Sequence, residues 1–111
     1  MDFNLLQGIC YSTTYAGGPP EVFSGTLSVA VTGYVHGGLY LVQIAPDYNV
    51  AAASYLNLNS LGNKQMVANG SSSSVVIPIG TNQLKNAWVL MIYDETINSN
   101  TGAFVFMFSL S

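Results

Sequence analysis

Apolar and polar positions change rhythm several times along the chain, most clearly near its end. Residues 87–93 form an uninterrupted apolar run of strand length, and residues 94–102 are polar. Residues 103–110 then place Phe104, Phe106, Phe108 and Leu110 at period two. Two runs rich in β-branched and aromatic residues, joined by a Gly-containing loop, predict a long hairpin. The first of these strands is apolar on both faces, so both need cover.

The earlier part of the chain reads as shorter strands. Residues 2–15 carry Phe3, Leu5, Leu6, Ile9, Tyr11 and Tyr15 without a helical period, and Gly8 weakens any helix, so an extended arm or first strand is expected. Gly17-Gly18-Pro19-Pro20 is a break that continues neither helix nor ladder. It sets a hinge at 16–20 between an arm at 1–15 and a domain at 21–111. Residues 21–34 alternate, with Leu27, Val29 and Val31 on one face, and Gly37-Gly38 suits a tight turn into a return strand at 39–45. Residues 55–59 alternate again, 61–64 read as a turn and 65–68 as a short strand. Asn69-Gly70-Ser71 matches a glycosylation acceptor within a polar loop, and residues 75–79 read as a strand that Pro78 confines to an edge or end. Roughly seven to nine short strands with almost no helix predict a single-domain all-β fold, an antiparallel β-sandwich or jelly roll with an extended N-terminal arm.

Charge narrows the function. Only 6% of the 111 residues are charged, against roughly 25% in ordinary domains, while 50% are hydrophobic and the net charge is -3. Lys64 and Lys85 are the only basic residues besides His36, so the chain lacks the clustered cations that nucleic acid or anionic lipid requires. No apolar run approaches the ~20 residues of a membrane span. Residues 1–15 show neither the basic nor the long apolar region of a signal peptide. A surface this poor in charge does little to repel neighbouring copies. It suits a subunit of an assembly, or a protein exposed outside the cell or on a particle surface.

The sequence carries no catalytic signature. His36 is the only histidine and Cys10 the only cysteine, so no intrachain disulfide forms and the pair offers too few soft ligands for structural zinc. Cys10 fits a buried small hydrophobe, an intermolecular crosslink or a reactive thiol, the last lacking a nearby base or cation in sequence. Asp94 and Glu95 are the only neighbouring carboxylates, and at a strand end they point in different directions. The loop 94–101 is the best candidate site. Asp94, Glu95, Asn98 and Asn100 offer the hard oxygen donors that calcium prefers, or alternatively the Asx turns of a solvated hairpin loop.

Ile92-Tyr93-Asp94 followed by Asn100-Thr101-Gly102-Ala103-Phe104 resembles the C-terminal calcium loop of bacterial galactose-binding β-sandwich lectins. In that family an Asp after the strand and Asn residues before the Gly bind calcium, which holds the sugar hydroxyls. The resemblance implies that role for Asp94 and Asn100, while Ser99 stands where the family has a further Asn.

The leading expectation is a non-enzymatic structural subunit that self-assembles into an oligomer, extracellular filament or virion component. Its arm would pair at a neighbour's sheet edge, with Phe3, Leu5, Ile9 and Cys10 at the contact. On this reading, removing residues 1–15 leaves a folded monomer that no longer assembles. The alternative is a small glycan-binding lectin with a calcium-assisted site at 94–101.

Overall fold

A computed structural model describes residues 6–17, 21–46, 54–67 and 86–109. Its strands are β1 (Leu6–Cys10), β2 (Thr13–Ala16), β3 (Glu21–Gly25), β4 (Leu39–Gln43), β5 (Ser54–Leu58), β6 (Lys64–Val67), β7 (Trp88–Asp94) and β8 (Ala103–Ser109). One helical turn, α1 (Ile97–Asn100), lies between the last two. The strands form a single sheet in the order β1-β4-β7-β8-β6-β5-β3-β2, curled until it is nearly closed into a barrel.

The fold is all-β, but one mixed sheet replaces the expected pair of antiparallel sheets. The pairs β1·β4, β3·β5 and β6·β8 are parallel. Alternating hydrophobicity tells which side chains face a core. It carries no information about which strand lies alongside or in which direction it runs.

The terminal hairpin is where the apolar pattern places it. β7 and β8 pair antiparallel from Asp94↔Ala103 to Val89↔Ser109, with a register shift between Leu90 and Met91. Val89, Met91 and Tyr93 face the barrel interior and are buried, as is Phe104 on β8. They meet Tyr40 and Val42 of β4, Met66 of β6, Leu56 and Leu58 of β5, Phe23 of β3 and Cys10 of β1 in one core.

The N-terminal strands close this barrel. Tracing pair directions around the sheet makes β1 and β2 run the same way, with only Tyr11 and Ser12 between them. Together they act as one bent strand. Its first half pairs with β4 and its second half with β3. The Thr13 hydroxyl donates to the Gln43 carbonyl at 3.0 Å, and the Ser28 N–H donates to the Ile9 carbonyl at 2.8 Å. Of the two expectations for this segment, arm or first strand, the described part is strand: from Leu6 onward it pairs within the chain's own barrel. A Gly/Pro break interrupts a strand without deciding where the preceding residues dock: Cys10 enters the core and Tyr15 packs against it, while Leu6 and Tyr11 stay exposed. Phe3 and Leu5 lie outside the described residues, as do the glycosylation pattern at Asn69, the 75–79 run and the prolines of the hinge.

The strand expected over 21–34 is regular only through Gly25. Beyond it, side chains take over backbone groups that a ladder needs. The Leu27 N–H donates to Asn59 Oδ1 at 2.7 Å, and Ile9 N–H donates to the Ser28 hydroxyl at 3.1 Å. Leu27 enters the core while Val29 is 52% exposed. The Gly37-Gly38 turn does form, with Gly37 at φ 79° and the Gly38 N–H on the Val35 carbonyl at 2.8 Å. It delivers the chain to β4, which pairs with β1 and β7 rather than with β3.

Candidate functional site

Strand directions bring three connections to one end of the barrel: 26–38 after β3, 59–63 after β5 and 95–102 after β7. The candidate loop therefore sits beside the segment that carries His36. The topology supplies this neighbour from more than fifty residues away in sequence.

Within the loop, Asp94 is engaged by its own turn. Its Oδ1 accepts from the Thr96 N–H at 2.9 Å and from the Thr96 hydroxyl at 2.6 Å. These two bonds, the hydroxyl's first, hold the Asp94 carboxyl below its ordinary pKa, with a smaller contribution from His36. This is the Asx-turn arrangement of a solvated hairpin loop.

His36 Nδ1 lies 3.8 Å from Asp94 Oδ1 and accepts the Glu95 backbone N–H at 3.1 Å. The Glu95 bond is the contact that positions the ring beside the Asp94 carboxylate.

The rest of the loop is shaped by packing. Ile97 is buried with Val67, Ala103 and Val105, and Ile92 packs against them. Ser99 and Asn100 adopt left-handed φ of 56° and 66°. Gly102 follows at φ 90°, its N–H reaching the Ile97 carbonyl at 3.0 Å. A β-carbon on Gly102 would also collide with the Tyr93 hydroxyl. Glu95 and Asn100 are exposed, and the Asn98 side chain is outside the described part of the structure. Among the described residues no three His, Cys, Asp or Glu side chains gather as a metal site. The loop brings Asp94, Thr96, Glu95 and His36 together. The chemistry on view is a hydrogen-bonded turn.

Cys10 is fully buried and donates to the Ser12 carbonyl at 3.1 Å. Burial pushes its thiol pKa up, the opposite of what a reactive thiolate needs. Ile9, its neighbour, faces outward on the barrel wall.

Sequence reasoning missed the outer face of that wall. Leu6, Leu39, Ile92, Val105 and Val67 stand in register across five adjacent strands, and Ile9, Leu41 and Leu90 form a second row beside them. Trp88 extends the surface, with Tyr11 edge-on to it at 6.1 Å between ring centroids. The signal in the sequence was the two-sided apolar run at 87–93. What it could not supply was the list of neighbours that continue the stripe.

No protein-family model, curated protein or solved structure matches the chain.

Proposed function

We propose that the protein is a non-enzymatic structural subunit that assembles with copies of itself through the outer apolar half of its barrel. The observation that carries this reading is the difference between the two halves of the wall. Outside β1, β4 and β7 the rows are Leu6-Leu39-Ile92 and Ile9-Leu41-Leu90. Outside β2, β3 and β5 the rows are Thr14-Ser24-Asn57, polar throughout, and Ala16-Val22-Tyr55, so this half is mixed where the other is wholly apolar.

An apolar sheet face needs cover. α1 supplies part of it through Ile97, which packs with Val67 and Val105. The row Ile9-Leu41-Leu90 stays half-buried, and Leu6, Met107 and Tyr11 are 40%, 40% and 63% exposed. A standard interface takes about 800 Å² from each partner, about a seventh of this molecule's 5699 Å² surface. With a net charge of -3 and few charges overall, a second copy meets little electrostatic opposition there.

This reading moves the assembly contact from a free arm to the barrel wall, and keeps Ile9 within it. Sedimentation velocity over a concentration series is the test. Assembly gives a sedimentation coefficient that rises with concentration or a discrete species above the monomer, whereas one monomeric boundary throughout overturns the proposal.

A further inference from the structure

Beside the polar row Thr14-Ser24-Asn57, we infer a binding cleft for a neutral saccharide, separate from the assembly face and from the 94–101 loop. A shallow cavity of about 320 Å³ is lined by Thr14, Ser24, Gly25, Thr26, Asn57 and Ser60. A second, of about 490 Å³, shares Thr26 and Ser60 with it and continues along Leu27, Val29 and Val31. Both volumes fall in the span of roughly 300–1,000 Å³ typical of small-ligand sites.

The lining chemistry selects the ligand. Thr14, Ser24, Thr26 and Ser60 present exposed hydroxyls, each both donor and acceptor. Asn57 adds an amide held in place by its own bonds: Oδ1 accepts the Gly62 N–H at 3.2 Å, and Nδ2 donates to Asn63 Oδ1 at 3.0 Å. No charged side chain lines either part, so nothing there matches a phosphate, a carboxylate or an ammonium group. Hydroxyls and an amide at one end, with Val29 and Val31 at the other, match a sugar ring, which has hydroxyls at its edge and C–H groups on its face.

The rim is preorganised. Asn59 and Ser60 hold left-handed φ of 54° and 59°, a conformation that costs non-glycine residues free energy unless the surroundings fix it. Asn59 is fixed by its side chain, which accepts the Leu27 N–H and donates to the Val29 carbonyl. These bonds also argue against an extended peptide as the ligand. Strand addition needs a row of open backbone groups, and here Leu27 N–H, Ser28 N–H and Val29 C=O are already engaged.

The experiment screens the full chain on an array of neutral glycans, acidic glycans and extended neutral peptides, then measures the best glycan by titration. The controls are a chelator and the double variant Thr14→Val/Ser24→Ala. Both substitutions lie on exposed strand positions and keep the backbone ladder. The expected result is neutral-glycan binding that the chelator leaves unchanged and the double variant weakens about tenfold, as losing two hydrogen bonds implies. No neutral-glycan binding overturns the inference, as does capture of peptides or acidic glycans alone. Binding that the chelator abolishes or the double variant retains also overturns it, by placing the site elsewhere.

Discussion

The Cys10 thiol occupies the space into which a β-carbon on Gly25 would project. One residue lies on the strand that closes the barrel and the other on the strand it closes against. Gly25→Ala is therefore expected to cost about 1–3 kcal/mol through overpacking, read from the urea midpoint. Pairing it with Cys10→Ala should recover part of that loss, and additive effects in the double-mutant cycle would contradict the contact.

Deleting residues 1–15 removes both halves of the closing strand. It strips partners from β4 and β3 and takes Cys10 out of the core. The truncated chain should lack a cooperative thermal transition by circular dichroism. A folded truncated monomer would restore the separable arm.

Cys10 should resist a thiol reagent in the native protein. It is fully buried, and burial keeps the thiol protonated. Labelling is expected to follow the unfolding rate and to become immediate in denaturant; prompt native labelling would contradict this placement.

Tyr34, Tyr40, Tyr93 and Phe104 form an aromatic cluster, with Tyr34 centred 5.0 Å from Phe104 and 5.3 Å from Tyr93. Burial raises the phenol of Tyr34 to about 12 and raises those of Tyr40 and Tyr93 as well. The fold favours the protonated phenols. Their contribution is whole below the unfolded value of about 10 and is lost as pH climbs toward about 12. Phenolate absorbance and circular dichroism should change together in that window. Early ionisation of every tyrosine without unfolding would refute the burial.

Tyr34→Phe probes the same cluster from its polar side. The Tyr34 hydroxyl donates to the Gly62 carbonyl at 2.7 Å and accepts the Leu58 N–H at 3.0 Å. Its removal should lower stability by about 1–3 kcal/mol and loosen the 58–62 turn, measurable by hydrogen exchange at Leu58.

The terminal hairpin was legible because β7 and β8 are neighbours in sequence and their patterns are strong. Tyr55–Leu58 was legible for the same reason. The closing strand was not: Leu6–Ala16 pairs with residues on both flanks of the barrel, and local pattern says nothing about either. The stretch after Gly25 misled because Leu27, Val29 and Val31 alternate like a strand. Asn59, thirty-two residues from Leu27, takes the backbone groups that a ladder would have used. At the candidate loop the acidic and amide residues were visible, but not that Thr96 occupies Asp94 or that His36 arrives from another connection.

The central claim is assembly through the outer wall, and one paired measurement tests it most directly. Light scattering coupled to size-exclusion chromatography compares the full chain with Leu90→Glu, which places a charge on the outward row without touching the core. The account predicts a multiple of the 11.8 kDa mass for the native sequence, and a folded monomer for the variant. A native protein that elutes as a monomer at high concentration, or a variant that assembles as the native chain does, would contradict it.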